Sequence, residues 1–66
     1  MSRAIPRRFA DITAKLEDLH AVAVEGQRAD NAADMQEVLL IQLRSGIAAL
    51  DASVRTMAKS LKGARP

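Results

Sequence analysis

Residues 38–61 read VLLIQLRSGIAALDASVRTMAKSL, and this stretch decides the fold. Leu40, Leu43, Ile47, Leu50, Val54, Met57 and Leu61 follow one another at alternating spacings of 3 and 4, which is one apolar seam on an α-helix. A smaller seam lies roughly opposite, through Val38, Ile41, Ser45, Ala48 and Ala52, with Ala49 beside it. A helix with apolar or small residues on two sides needs neighbours on two sides. The first conclusion the sequence supports is therefore about assembly rather than chemistry.

Working outward, the helix is expected to start near residue 33 and to run to about 62, where Gly63 and Pro66 end it. Gly46 sits inside it, at a cost of about 1 kcal/mol relative to Ala. The seam keeps its phase from Leu43 through Ile47 to Leu50, so no kink is expected there. Upstream, Phe9, Ile12, Leu16, Leu19 and Ala23 form a second stripe that Ile5 and Gly26 extend. Pro6 suits the first turn of a helix, because its missing N–H has no partner there in any case. Helix one is placed at about 6–27, after a short tail over residues 1–5. Continuing its heptad phase past residue 27 would put Asp30, Glu37, Arg44 and Asp51, all charged, on the seam. One unbroken helix would thus have to rotate its apolar face, whereas two helices joined by a loop at about 26–33 explain the phase shift directly. Gly26 can then act as a left-handed cap. Asp30, Asn31 and Asp34 are N-cap candidates, and Asp34 with Glu37 has the spacing of a capping box. The fold class is all-α: an antiparallel two-helix hairpin in a single domain over 1–66, dimerising into a four-helix bundle.

Size makes the same demand. A chain of 66 residues is marginal alone, since a domain of about 60 residues buries only about 60% of its unfolded surface, and small scaffolds lean on disulfides, metals or partner chains. The chain has no Cys and one His, which leaves association. One hairpin hides one stripe per helix and leaves Val22, Val24, Val38, Leu39 and Ile41 partly or wholly uncovered. Burying five such side chains is worth roughly 7–15 kcal/mol, the stability of a whole small domain. Together with the small residues Ser45, Ala48 and Ala52, these five form the expected oligomer interface.

The charges are sorted along the hairpin. Residues 1–16 and 50–66 carry Arg3, Arg7, Arg8, Lys15, Arg55, Lys59, Lys62 and Arg65 against Asp11 and Asp51, a net +6. Residues 17–49 carry Glu17, Asp18, Glu25, Asp30, Asp34 and Glu37 against Arg28 and Arg44, a net −4. Two hairpins packed antiparallel set each basic end beside an acidic loop, which fixes orientation more than it adds affinity. This layout, with its turn Ala29-Asp30-Asn31-Ala32-Ala33-Asp34, resembles the plasmid copy-control Rop proteins. That resemblance implies an antiparallel dimer of helical hairpins and a surface for paired RNA hairpins on one helical face. It transfers no individual residues, and the architecture is also similar to that of small helical chaperones of bacterial secretion systems.

Catalytic chemistry is not encoded in a recognisable form. His20 flanks the Leu16/Leu19 stripe with no second His, Cys or converging carboxylate, and there is no Gly-rich phosphate loop or nucleophile elbow. The segment Ala58-Lys59-Ser60-Leu61-Lys62-Gly63 is similar to the loop of histidine phosphotransfer domains, but Lys59 stands where the phosphorylated His would be. Asp51 and Arg55 are spaced for an i,i+4 ion pair worth a few tenths of a kcal/mol. A single aromatic residue, Phe9, argues against nucleic-acid binding by base stacking. No apolar run reaches the ~20 residues of a membrane span, and no hydrophobic leader is visible, so a cytoplasmic location is expected. The expectation is a non-enzymatic regulator, adaptor or chaperone without cofactor or metal, acting as a homo-oligomer or on another protein helix. The alternative is a nucleic-acid-binding regulator using Arg3, Arg7, Arg8, Arg55, Lys59 and Lys62 at the basic end.

Overall fold

The computed structural model describes residues 4–64. They form two helices, α1 (Ala4–Gly26) and α2 (Ala33–Ala64), which fold back on one another through residues 27–32. Ala4 and Ile5, expected in the tail, belong to α1, with Pro6 in its first turn where a proline costs no hydrogen bond. α2 passes through Gly46 without a break. The Thr13 and Thr56 hydroxyls donate to the carbonyls of Phe9 and Ala52 one turn back, at 3.1 and 3.0 Å, so both are satisfied within their own helices.

The turn is held by polar side chains rather than by a left-handed glycine. Gly26 has no positive φ, which corrects the expected cap. The last carbonyls of α1 are instead used by tight i→i−3 bonds, Gln27 N–H to Val24 at 3.0 Å and Arg28 N–H to Glu25 at 3.3 Å. Asn31 also donates its side-chain amide to the Glu25 carbonyl at 2.7 Å. Arg28 bridges Glu25 (3.1 Å) and Asp30 (3.0 Å). The Asp30 hydrogen bond, then the nearby Glu25 charge, raise its guanidinium pKa above the ordinary value. At the start of α2, the Ala32 carbonyl takes the Gln36 N–H at 3.0 Å. Asp34 therefore lies inside the first turn, accepting from the Met35 N–H at 3.0 Å. It is not the N-cap, and the expected box with Glu37 is replaced by favourable placement of a negative charge at the positive end of the helix.

The core is narrow. On α1, Ile5, Ile12, Leu19 and Val22 are partly buried. On α2, Leu39 (8% exposed) and Met57 (5%) are buried, and Leu43, Gly46 and Leu50 are partly buried between them. This corrects two expectations. Leu39 was to be uncovered within one hairpin and is instead one of its best-covered side chains. Leu40, Ile47, Val54 and Leu61 were to face inward and are exposed, as are Phe9 and Leu16. Gly46 is the reason. A Cβ on Gly46 would collide with the Leu19 side chain, whose Cγ would lie 3.1 Å from it. The missing side chain lets Leu19 seat against the α2 backbone, and that contact turns α2 so that position 46 rather than 47 points inward.

The result is long and thin. The Cα extents are 54 × 15 × 10 Å and the radius of gyration is 15.7 Å, against about 11 Å for a compact domain of this length. The solvent-accessible surface is 5611 Å², whereas folded monomers of this mass average about 4,100 Å².

Candidate functional site

The register of the hairpin determines which side chains share a surface. Leu19 lies at Gly46, and a Cβ added to Gly26 would lie 3.9 Å from Leu39 Cδ1, so residues whose numbers add to 65 are level across the two helices. Written as heptads, the inward positions a and d are Ile5, Ile12, Leu19 and Gly26 with Arg8, Lys15 and Val22 on α1. On α2 they are Leu43, Leu50 and Met57 with Leu39, Gly46 and Ser53. Phe9, Leu16 and Ala23 then occupy position e of α1, and Leu40, Ile47, Val54 and Leu61 occupy position e of α2. In an antiparallel pair the two e rows flank the seam on the same side, because the sense of rotation reverses together with the helix direction.

One side of the hairpin is consequently a continuous apolar face. Phe9 and Leu16 lie on one helix and Leu40 (64% exposed), Ile47 (59%), Val54 and Leu61 on the other, every one of them exposed. Ala23 completes the row on α1. Monomers seldom leave a contiguous apolar patch of this kind uncovered.

The opposite side differs in kind. There the d positions of α1 are Arg8 and Lys15, facing the small Ser53. The space between the helices is an open groove of about 490 Å³, lined by Ile12, Leu50 and Met57 with Ser53, and edged by Arg7, Arg8, Lys15 and Asp11. Among the described residues the only ion pairs are those of Arg28 and the Arg55–Asp51 pair at 2.8 Å, so the three groove cations have no carboxylate within bonding distance.

The structure divides both residue sets singled out in the sequence. Of the expected interface, Leu39 is in the core and Val22 is half-buried under α2. Val38, Ile41 (63% exposed), Ser45, Ala48 and Ala52 lie exposed on the outer side of α2, and Val24 is exposed near the end of α1. These eight residues do not form one surface. Of the expected anion contacts, Arg7 and Arg8 line the groove and Arg55 is engaged by Asp51, the i,i+4 pair anticipated above. Lys59 and Lys62 are exposed elsewhere on α2, and Arg3 lies outside the described residues. Lys15 and Ser53, both missed, belong to the groove. Lys15 was signalled by the spacing of Ile5, Ile12 and Leu19, which are seven apart and make Arg8 and Lys15 the intervening d positions, whereas Ser53 follows only from the contact of Leu19 with Gly46.

His20 is exposed. Among the described residues no cluster of His, Cys, Asp or Glu could hold a metal ion, and no helix is long and apolar enough to cross a membrane. No protein-family model matches the chain, and no curated protein or solved structure matches it.

Proposed function

We propose that this chain is a non-enzymatic helical interaction protein of the cytoplasm, a regulator, adaptor or chaperone, that works as a homo-oligomer closed across its apolar face into a four-helix bundle. The observation that carries the reading is the excess of exposed surface. A lone hairpin shows 5611 Å², about 1,500 Å² more than its mass calls for, and Phe9, Leu16, Leu40, Ile47, Val54 and Leu61 among its exposed large apolar side chains share one side. A standard interface hides about 800 Å² per partner, which is smaller than that excess. Burial of Leu40 and Ile47 alone is worth roughly 3–6 kcal/mol per copy. Sedimentation equilibrium tests this: the chain is expected to be a dimer at micromolar concentration, and Leu40→Gln/Ile47→Gln to be monomeric. A well-folded monomer at tens of micromolar would overturn the reading.

The groove supports a second reading, nucleic-acid binding through the basic end, because Arg7, Arg8 and Lys15 have no ion-pair partner among the described residues and lie on the side away from the apolar face. Such binding rests on phosphate contacts and falls steeply with salt. A mobility shift with double-stranded RNA at low salt that weakens in Arg7→Ala/Arg8→Ala, with helicity unchanged, is the expected result. The absence of any shift ends this reading.

A further inference from the structure

The apolar face admits two closed arrangements of a second copy. An axis parallel to the helices puts both loops at the same end and lays α1 against α2 of the partner. An axis crossing the helices puts the loops at opposite ends and lays each helix against its own copy. We infer that two copies of this chain meet in the second way, about an axis that crosses the apolar face midway along α2, near the level of Leu16 and Ile47. The inference rests on the dimer proposed above and specifies its geometry.

Three observations favour it independently. The first is the sorting of charge. In the parallel-axis arrangement both basic terminal ends lie at one end of the dimer and both acidic loops at the other. In the crossed arrangement each basic terminal end meets the partner's loop end, which carries Asp34 and Glu37 beside the Glu25 and Asp30 that hold Arg28.

The second is the rim of the face. Position b, next to the apolar row, is Arg44 and Asp51 on α2 and Thr13 and His20 on α1. With the axis midway along α2 (Ala33–Ala64), positions adding to about 96 face each other, so Arg44 of each copy comes opposite Asp51 of the other. Asp51 already holds Arg55 at 2.8 Å, and Arg44 adds the other half of a network. On α1, Thr13 comes opposite His20, with no like charges opposed. In the parallel-axis arrangement Arg44 comes opposite His20 and Asp51 opposite Thr13, so no Arg–Asp pair forms across the interface.

The third is size. The crossed arrangement sets Leu16 and Ile47 against their own copies, Leu40 against Val54, and the largest side chain of the row, Phe9, against the smallest, Ala23. Large against small is how facing helices interdigitate. The two copies' grooves, edged by Arg8 and Lys15, then lie on opposite outer sides of the dimer and remain open.

The chain has no cysteine, so an introduced thiol reports only its own neighbour. Ile47→Cys is expected to oxidise to a covalent homodimer at least about tenfold faster than a mixture of Leu16→Cys and Ile47→Cys chains forms the mixed disulfide, since a disulfide needs Cβ atoms about 4 Å apart. In reducing buffer, Arg44→Asp is expected to weaken the dimer about tenfold, and Arg44→Asp/Asp51→Arg to return it to within about threefold of the parent. If sedimentation shows a dimer but the mixed disulfide dominates, or if the charge swap fails to restore association, the crossed geometry is wrong and the dimer stands. If the parent chain is a folded monomer at tens of micromolar, both fall.

Discussion

The two sides of the hairpin are built from the same helices and flank the same core, yet one presents Phe9, Leu16, Leu40, Ile47, Val54 and Leu61 while the other presents Arg7, Arg8, Lys15 and Ser53. The core itself is thin on both sides, with only Leu39 and Met57 buried among the described residues. The difference teaches what each side is for. Where the inward positions are flanked by large aliphatic residues, the seam continues into an exposed apolar face, which on our proposal a second copy covers. Where they are filled by cationic side chains, the seam opens as a polar-edged groove that already faces water. A polar substitution should therefore be costly on the first side and nearly free on the second.

The largest effect expected is on association. Ile47→Lys places a charge in the centre of the apolar face and should weaken dimerisation by more than about a hundredfold, the equivalent of about 3 kcal/mol, measured by sedimentation equilibrium. Ser53→Lys, on the groove side, should leave the association constant within about threefold. Equal effects from the two would erase the contrast between the faces.

Next comes the close approach that sets the phase. Gly46→Ala removes a helix penalty of about 1 kcal/mol but forces Leu19 away from the α2 backbone, and overpacking of this kind costs about 1–3 kcal/mol. A net loss of about 1 kcal/mol in urea denaturation is expected, and Leu19→Ala/Gly46→Ala should show strong coupling between the two sites. A stabilised Gly46→Ala would mean that the contact does not set the register. Smaller again is the turn: Asn31→Ala removes the amide that meets the Glu25 carbonyl at 2.7 Å and should cost about 1 kcal/mol, with faster amide exchange at residues 27–31. At the bottom of the scale, Arg55→Ala breaks an exposed ion pair and should change stability by less than about 0.5 kcal/mol.

The hairpin itself was legible in the sequence because the phase break between the Ile5–Ala23 stripe and the Leu40–Leu61 seam cannot be carried by one straight helix. The inward side of α2 was harder to read. The large-residue seam through Leu40, Ile47 and Val54 and the true seam through Leu39, Gly46 and Ser53 have the same spacing of 3 and 4 and share Leu43, Leu50 and Met57. Size favours the first, and hydrophobicity counted along a helix favours it too. Only the partner side chain decides: Leu19 needs a position with no Cβ, and nothing local to α2 announces that. The turn was misread for a related reason. Gly26, Asp30 and Asp34 have the composition of standard caps, but the freed carbonyl is taken by Asn31 from across the loop, a contact of six residues' separation that composition does not encode. The groove was half visible, since Arg7 and Arg8 stood out as a pair while Lys15 looked like an ordinary surface lysine until the heptad phase was known.

Everything here turns on whether the apolar face is covered in solution. Sedimentation equilibrium of the unmodified chain from about 1 to 100 µM, with helicity followed by circular dichroism on the same samples, addresses that directly. The account predicts twice the chain mass across the upper part of this range, with helicity lost as dilution dissociates the dimer. A single-chain mass at every concentration with helicity unchanged would contradict it.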